Sequence, residues 1–179
     1  RHTRLQGDWS SDVCSSDLCR LLVLALPLDR LLDPDLPLLE ALPPGAVITD
    51  VGSVKGPVMR LWPALLDRAD AGQSGTPGSR FVGGHPMAGT ARFGVEAGER
   101  GLFRGRPWVA TPTDHTDPAA LAAVRSLAVV VGAHWLTCSA DDHDRAVALI
   151  SHLPVLVGAA LIQAADQAAA LAGVGSLAR

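Results

Sequence analysis

Phe81-Val82-Gly83-Gly84-His85-Pro86-Met87-Ala88-Gly89 is the stretch that decides the fold, and Thr49-Asp50-Val51-Gly52-Ser53-Val54-Lys55 precedes it by about thirty residues. Each stretch continues from a short apolar run of the kind that forms a buried β-strand. His85 and Ser53 are therefore expected just beyond two strand ends. Since ligands of open α/β sheets bind at that edge, the two stretches together predict a ligand site.

Short apolar runs alternate with helical patterns along the rest of the chain. Residues 21–26 are apolar throughout, which predicts a strand buried on both faces of a parallel sheet. In 28–42 the leucines have helical spacing, but Pro34 and Pro37 restrict any helix there to short pieces. Further strands are predicted at 46–50, 108–111 and 133–138, and helices at 53–68 and 118–131. This alternation predicts a parallel sheet covered by helices.

The composition excludes several classes of function. The chain has 179 residues and a formal net charge of −3, and it has no cluster of basic residues, which argues against a nucleic-acid partner. Cys14, Cys19 and Cys138 have no metal-ligand spacing and leave an odd thiol, as expected in a reducing compartment. No secretory signal pattern opens the chain. A cytoplasmic protein is therefore predicted.

Residues 1–18 differ from everything that follows. They are rich in Ser and Asp and have neither the helical nor the strand hydrophobic period. We expect them to be a non-native or disordered leader, which takes no part in the predicted fold.

The motifs resemble those of the prephenate dehydrogenase family. In that family Asp-x-Gly-Ser-x-Lys and Gly-Gly-His-Pro-Met-Ala-Gly occur in this order, before a Leu-Phe, a Trp and a Thr-Pro that are matched here by Leu102-Phe103, Trp108 and Thr111-Pro112. The resemblance extends over about residues 21–172. It implies an α/β fold with part of a Rossmann-type, doubly wound parallel sheet, followed by the first helix of an all-helical C-terminal domain that forms a homodimer.

The implied organisation divides the chain into three parts: the leader (1–18), the C-terminal part of a dinucleotide-binding domain (19–140) and the start of a helical dimerisation domain (141–179). The last part is alanine-rich and apolar on most sides, which predicts a helix buried against further helices or a second subunit. A membrane span is the competing interpretation. It is disfavoured because five residues interrupt the apolar segment, namely His152, Pro154, Gln163, Asp166 and Gln167.

His85 is the candidate catalytic residue. An imidazole titrates near pH ~6.5 and can take a proton from a substrate hydroxyl, but on spacing alone a loop histidine that only bonds the backbone is the more common case. The resemblance implies the catalytic assignment, in which His85 binds the substrate hydroxyl and acts as its base. It also implies that Ser53 bonds near both, although a serine here equally suits a helix cap.

The resemblance implies NAD or NADP as the cofactor, bordered by the chain near Ala25, Pro27, Asp50 and Gly52. Asp50 ends its strand where a nicotinamide would lie, but an aspartate there is equally often a turn former. No strand with Gly-x-Gly-x-x-Gly, the pattern that binds a pyrophosphate, precedes residue 21. The similar letters in 173–178 follow a helix and are rejected. Lys55 is expected to be a solvated residue of a first helical turn.

A second group of candidates lies in Ser151-His152-Leu153-Pro154. Pro154 removes one helical hydrogen bond, so a kink is expected at Ser151 and His152. The resemblance assigns these two residues, together with Gly89, to substrate binding. The family carries a second histidine or a glutamine where this chain has Val155, which argues against a polar substrate contact at that position.

The same C-terminal helix carries another histidine. Ser139-Ala140-Asp141-Asp142 predicts the start of the helix, with acids that complement its dipole. His143 follows, nine residues before His152, which places the two histidines on opposite helix faces. They cannot share one metal ion, and no metal site is expected.

The resemblance therefore implies a fragment of a prephenate dehydrogenase, an NAD(P)-dependent enzyme of tyrosine biosynthesis that oxidises and decarboxylates prephenate to 4-hydroxyphenylpyruvate. Arogenate dehydrogenase is an alternative, since Ala91 offers no charge that distinguishes a keto from an amino side chain. Another Rossmann-type dehydrogenase of hydroxy acids or imines is a second. From a different class, the chain is a non-catalytic product that associates through its apolar helix. The fragment by itself is expected to be inactive.

Overall fold

The structure, a computed structural model, describes residues 19–42, 44–69, 76–89 and 98–171. The predictions for the leader 1–18, for Ala91 and for 173–178 lie outside the described residues. The described strands are β1 (Leu21–Leu24), β2 (Val47–Asp50), β3 (Phe81–Val82), β4 (Gly84–Pro86), β5 (Pro107–Ala110) and β6 (His134–Thr137). The described α-helices are α1 (Leu28–Leu32), α2 (Leu36–Glu40), α3 (Gly56–Ala69), α4 (Pro118–Val130), α5 (Ala140–Val147) and α6 (Leu153–Leu171).

The strands form two three-stranded ladders that meet at Gly83. β1, β2 and β3 are parallel, with Leu24 opposite Asp50 and Ile48 opposite Phe81. β4 follows β3 after this single residue and pairs antiparallel with β5, which pairs parallel with β6. The predicted parallel sheet is present, and among the described strands β4–β5 is the one pair that departs from it.

Helices cover the strands on both faces. On one face the strands pack against α1 and α3, where Trp62 stacks on Phe81 with 5.8 Å between the ring centroids. On the other face they pack against α4. The buried strand residues are Leu24, Ile48 and Phe81 on the first face and Val82 and Ala110 on the second. This three-layer arrangement confirms the α/β prediction.

β1 is less buried than predicted. Only Leu24 of this strand is buried, and Val23 is 37% exposed. In the part of the chain that the structure describes, β1 pairs on one side only, with β2. β1 is thus an edge strand among the described strands, and its side chains are more exposed than those of a strand inside the sheet.

Helix ends follow the predicted cap and proline positions. Pro34 separates α1 from α2, as predicted. Asp117 begins α4 by accepting a hydrogen bond from the Ala119 amide at 2.8 Å. Ser139 begins α5 in the same way, with the Asp142 amide at 3.1 Å. These local signals are strong because a short polar side chain satisfies first-turn amides that have no helical partner.

Between α5 and α6 the helix passes through a π-helical turn, Ala148–His152. The amide of Leu153 donates to the carbonyl of Ala148, five residues earlier. Pro154 has no amide to offer the Ile150 carbonyl, so the regular ladder is interrupted there. A kink was predicted at Ser151 and His152, and the structure has a π turn at these residues.

The apolar side chains of α6 are exposed within the chain. Val155, Leu156 and Leu161 are 69%, 67% and 65% exposed. By length and composition alone, the helical stretch Ala140–Ala168 could cross a membrane. The described residues leave this apolar surface uncovered, and its burial against further helices or a second subunit stays a prediction.

Candidate active site

His85 lies at the centre of β4, where the chain leaves β3 and passes close to its neighbours. A Cβ on Gly83 would lie 2.6 Å from Met59 Sδ and from Thr111 Oγ1, and one on Gly84 would lie 2.8 Å from the Asp50 backbone carbonyl. The two glycines let β4 cross the end of β2 in contact with it.

Lys55 is fully buried, which corrects the prediction of a solvated residue. It is the single lysine of the sequence. Its Nζ forms an ion pair with Asp50 Oδ2 and donates to the Gly84 carbonyl at 2.7 Å. The ammonium thus ties the end of β2 to the residue that precedes His85. Sequence position in a first helical turn predicted exposure, but this long-range pairing overrides it.

Asp50 is fully buried as well, and both of its carboxylate oxygens are engaged. Oδ2 accepts from Lys55 Nζ and from the Gly52 amide at 2.8 Å, and Oδ1 accepts from the Gly84 amide at 3.1 Å. Burial raises the pKa of Asp50 and lowers that of Lys55, while the charge of each partner opposes these shifts. Asp50 was predicted to border a cofactor, and that assignment stays a prediction. Its carboxylate ties the end of β2 to Gly52, Lys55 and Gly84.

Asp144, and not Ser53, holds the start of α3. The amide of Lys55 donates to Asp144 Oδ1 at 2.7 Å, and the amide of Gly56 donates to Oδ2 at 2.8 Å. The helix begins at Gly56, three residues after the predicted start, and Ser53 lies exposed in the loop before it. A carboxylate from α5 reaches across the fold to cap this helix, which no local sequence pattern could indicate.

A chain of hydrogen bonds runs from Asp144 to His85. His143 Nδ1 lies 2.8 Å from Asp144 Oδ1, and His143 Nε2 lies 2.8 Å from His85 Nδ1. The two imidazole rings meet edge to face, with 5.0 Å between their centroids. His143 is only 2% exposed. The helical geometry assumed for the sequence separated His143 from His152 and left it without a role.

One signal in the sequence could have identified His143. It lies four residues before Val147, and these are the two buried residues of α5. Positions four apart share a helix face, so a histidine on the buried face of a charged helix is a candidate for a polar contact with the sheet. The partner itself, 58 residues earlier in the chain, is not visible in any local pattern.

The environment of His85 lowers its pKa to about 4. Burial is the largest cause, since it disfavours the charged imidazole, and the charges of His143, Lys55 and His152 act in the same direction. Asp144 opposes them. His85 is therefore neutral near pH 7 and holds a free electron pair, which is the protonation state that a general base requires.

Asp144 behaves in the opposite way. Desolvation raises its pKa, but hydrogen bonds from the Lys55 and Gly56 amides and from His143 outweigh that effect, and the pKa is lowered. The carboxylate is therefore ionised near neutral pH and can only accept hydrogen bonds. We refer to Asp50, Lys55, His85, His143 and Asp144 as the polar cluster.

The remaining predicted residues lie at or near this edge of the sheet. Ala25 and Pro27 follow β1 and are exposed, and Gly52 is partly buried in the loop after β2. Gly89 is exposed after β4. His152 is exposed and near enough for its charge to lower the pKa of His85.

Among the described residues, neither Ser53 nor Ser151 forms a hydrogen bond with His85. Ser53 lies in the loop between Asp50 and Lys55, two residues of the polar cluster. Within the described ranges there is no group of three or more His, Cys, Asp or Glu side chains that could hold a metal ion. The neutral imidazole of His85 can take part in proton transfer.

An apolar cavity of about 380 Å³ opens beside the ends of β1 and β4. Its walls include Ala25, Val51, Pro86, Ala88 and Trp108. The neighbouring residue His85 alternates with Pro86 along β4, so its side chain lies on the other face of this strand. The edge thus combines an apolar recess with a buried base on adjacent residues.

Comparison with known proteins identifies the family. Residues 7–137 match the family described as "Prephenate dehydrogenase, nucleotide-binding domain", and residues 139–175 match "Prephenate dehydrogenase, dimerization domain". The first match begins inside the segment that was expected to be a leader.

Among sequence relatives, a prephenate dehydrogenase of Bacillus subtilis is 38% identical over 116 residues, which are 65% of this chain and 29% of that protein. Among solved structures, the arogenate dehydrogenase of Synechocystis is 40% identical with a TM-score of 0.65, and the match covers 84% of this chain and 50% of that one. The prephenate dehydrogenase of Aquifex aeolicus in complex with hydroxyphenyl propionate and NAD+ is 33% identical with a TM-score of 0.65, covering 81% and 47%. The chain thus spans half or less of each of these relatives.

Proposed function

Because the chain belongs to the prephenate dehydrogenase family, we propose that it forms the substrate-side half of an NAD(P)-dependent dehydrogenase whose base is His85. The parent enzyme oxidises the ring hydroxyl of prephenate, and loss of carbon dioxide then gives 4-hydroxyphenylpyruvate. The observation that carries the proposal is a neutral, half-buried His85, bonded through Nδ1 at the edge where ligands of α/β sheets bind.

The chain's part in the reaction is proton transfer. Nε2 of His85 takes the proton of the substrate hydroxyl, so that the O–H electron pair becomes part of the new carbonyl bond. The imidazole becomes positively charged in this step. Ionised Asp144 lies two hydrogen bonds away and favours that charge. Ser53, in the loop held by Lys55, is proposed to orient the same hydroxyl.

The residues at the end of β1 fit a nicotinamide cofactor. Ala25 and Pro27 are exposed there, the neighbouring cavity is apolar, and a flat ring can lie against such a surface. Gly52 is closely packed on the protein side, since a Cβ there would lie 2.9 Å from Asp50 Oδ2 and 3.0 Å from Leu31 Cδ2. A bound nicotinamide supplies the acceptor for the hydride that leaves the ring carbon.

The substrate is proposed to lie between β4 and the π turn. His152 and Ser151 are placed by this turn at the start of α6, and Gly89 follows the β4 motif. An exposed histidine near His85 can pair with a carboxylate of prephenate. Arogenate is the second candidate, because the Synechocystis structure that matches this chain is an arogenate dehydrogenase.

The C-terminal helix is proposed to form the dimer. The boundary between the two parts is placed at residues 140–141, after β6 and the Ser139 cap. Several large apolar side chains on α6 are exposed. Because α5, which precedes α6, is held to the sheet by His143 and Asp144, we propose that a second subunit packs on the exposed surface of α6. We propose a cytoplasmic homodimer and no membrane contact. Leu156→Glu is expected to weaken self-association in sedimentation velocity.

The activity is tested in a completed enzyme. The N-terminal region of the Aquifex aeolicus prephenate dehydrogenase is fused to residue 19, and prephenate-dependent reduction of NAD+ or NADP+ is followed by absorbance. Replacing His85 by Asn is expected to lower kcat by about 100-fold or more, with cofactor binding retained.

The matched control is His115→Asn, which changes an exposed histidine on the same sheet domain and is expected to leave turnover unchanged. Arogenate is assayed in parallel, and the substrate with the higher kcat/KM identifies the enzyme. Unchanged turnover in His85→Asn would show that another group is the base. A completed, folded wild-type chain that is inactive with both substrates would contradict the proposed function itself.

A further inference from the structure

We propose that His143 is a positioning residue that fixes the tautomer of His85, and that Asp144 fixes His143 in turn. The inference rests on the proposed function of His85 as a base. It adds that α5 supplies His143, the residue that keeps one nitrogen of His85 free to accept a proton. His143 and Asp144 belong to α5, and His85 to β4, so the arrangement exists only when α5 is docked on the sheet.

The direction of each hydrogen bond follows from Asp144. Its ionised carboxylate can only accept, so the proton of the first bond belongs to His143 Nδ1. A neutral His143 then presents Nε2 as an acceptor. The second bond is therefore donated by His85 Nδ1–H to His143 Nε2.

This assignment leaves the electron pair of His85 on Nε2. Among the described residues, Nε2 of His85 has no hydrogen-bond partner, so it remains available to a substrate hydroxyl. In the opposite tautomer Nε2 would carry a proton and could not act as a base. The orienting carboxylate of a serine-protease triad controls a histidine in the same way, and there the wrong tautomer costs about 10⁴-fold in rate.

The proton balance of the step is simple. One O–H bond of the substrate breaks and one Nε2–H bond forms, and His85 gains one positive charge. The proton on Nδ1 stays in the bond to His143, and the proton of His143 stays in the bond to Asp144. The titratable groups that act on His85 are His143, Lys55, His152 and Asp144. Of these, Asp144 is the one that favours the charged imidazole, so it is the group that favours the charged product.

Asp144 also couples this arrangement to the sheet domain. Its two oxygens cap α3 through the amides of Lys55 and Gly56, while Oδ1 holds His143. Lys55 holds the carbonyl of Gly84, next to His85. His85 is thus fixed through its backbone from α3 and through its side chain from α5, and both supports meet at Asp144.

The direct test is the tautomer of His85 in the 179-residue chain. Long-range proton–nitrogen correlation NMR on the ¹⁵N-histidine-labelled protein at pH 7 distinguishes Nδ1–H from Nε2–H. We expect Nδ1–H as the dominant form in the wild type. In His143→Phe the preference is lost, and in His152→Gln, which removes a nearby histidine that does not bond His85, it is kept.

If the wild-type chain has His85 mainly in the Nε2–H form, the proposal is overturned whatever the variants show. That form would mean that His143 donates the hydrogen bond to His85. An unchanged Nδ1–H form in a folded His143→Phe protein would overturn it too. If His143→Phe does not fold, His143→Asn, which fills less space, replaces it under the same criterion.

The kinetic counterpart uses the completed enzyme. His143→Phe is expected to lower kcat/KM by about 10- to 100-fold, the usual cost of removing a group that orients a functional histidine, while cofactor affinity stays unchanged. Equal kcat/KM for variant and wild type would contradict the positioning role although the dehydrogenase activity stands. An inactive wild type contradicts the function instead, so the two failures are distinguishable.

Discussion

The polar cluster and helix α6 invert the usual distribution of residues. Lys55 and Asp50 are fully buried, whereas Leu156 and Val155 are about two-thirds exposed. The buried charges are tolerated because each one has partners: an ion pair, backbone amides and a carbonyl. The exposed leucines have no such compensation within the chain. The comparison shows that burial here follows the availability of partners more closely than it follows polarity.

The two regions are also expected to affect different properties, namely the stability of the folded chain and its association with a partner. The polar cluster connects β2, β4, α3 and α5 and is complete within one chain. Helix α6 contributes apolar area that becomes useful only when something covers it. Mutations in the first region are therefore expected to change the free energy of unfolding, and mutations in the second to change association.

The largest expected effect comes from removing one charge of the buried pair. Lys55→Met leaves the Asp50 carboxylate buried without its counter-ion, and we expect it to lower the free energy of unfolding by about 3–5 kcal/mol. Urea denaturation followed by circular dichroism measures the loss. Adding Asp50→Asn removes the uncompensated charge, so the double variant is expected to recover part of it.

Arg68→Met removes an exposed cation from α3, the helix that follows Lys55. It serves as the control and should change stability by less than about 0.5 kcal/mol. A loss of similar size in Arg68→Met and Lys55→Met would contradict the buried-pair account. Because Lys55 is the single lysine of the sequence, amine acylation followed by mass spectrometry gives an independent check. The folded chain should be modified only at its N-terminus.

The next effect compares one substitution in two places. Leu66→Ala truncates a fully buried leucine of α3 and is expected to cost about 2–5 kcal/mol. Leu156→Ala makes the same change on the exposed surface of α6 and is expected to cost less than about 0.5 kcal/mol. Denaturation of both variants under dilute conditions tests the contrast. Equal losses would mean that α6 is already covered in solution.

A smaller effect is expected at the glycine that precedes His85. Gly84→Ala places a Cβ 2.8 Å from the Asp50 carbonyl, and the resulting backbone shift should cost about 1–3 kcal/mol. Gly89→Ala is the matched control, since nothing lies within 4 Å of a Cβ there. Melting temperatures of the two variants decide the point: a Gly84→Ala protein as stable as Gly89→Ala would show that β4 and β2 are less tightly packed than described.

The last expected effect is a pH dependence of stability. The pKa of His85 is lowered from 6.5 in the unfolded chain to about 4 in the folded one, so between these values the unfolded chain binds more protons. The neutral His85 therefore makes its full contribution to the free energy of unfolding above about pH 6.5, and this contribution is lost as the pH is lowered towards 4. His85→Gln should make the urea denaturation midpoint less dependent on pH across this range, and His115→Gln should leave that dependence unchanged. A midpoint that rises as the pH falls would contradict the sign.

How much of this was predictable depends on the distance between partners along the chain. The strand positions, the Ser139 cap and the irregularity before Pro154 follow from local patterns, and the structure confirms them. The burial of Lys55, the cap supplied by Asp144 and the contact of His143 with His85 join residues that are far apart in sequence. Periodicity describes one element at a time, so it cannot indicate which polar side chains meet across elements.

The resemblance to a family predicted a role for His85, but it did not indicate the contacts that support this residue. Asp50 and Lys55 both belong to the Asp-x-Gly-Ser-x-Lys motif, yet its letters do not show that the two form an ion pair or that Asp144 caps the helix after them. Asp50 was assigned to the cofactor border, and its carboxylate is engaged inside the protein. Strand-end acids thus serve either a ligand or the fold, and only the contacts distinguish the two.

The central claim is that the polar cluster keeps His85 neutral with one nitrogen available. An NMR titration of the labelled histidines in the 179-residue chain measures this most directly, with His85 assigned through the His85→Gln variant. The account predicts a midpoint for His85 of about 4. A midpoint at or above 6.5 in a folded sample would contradict it, because the imidazole would then be neither desolvated nor surrounded by positive charge as described.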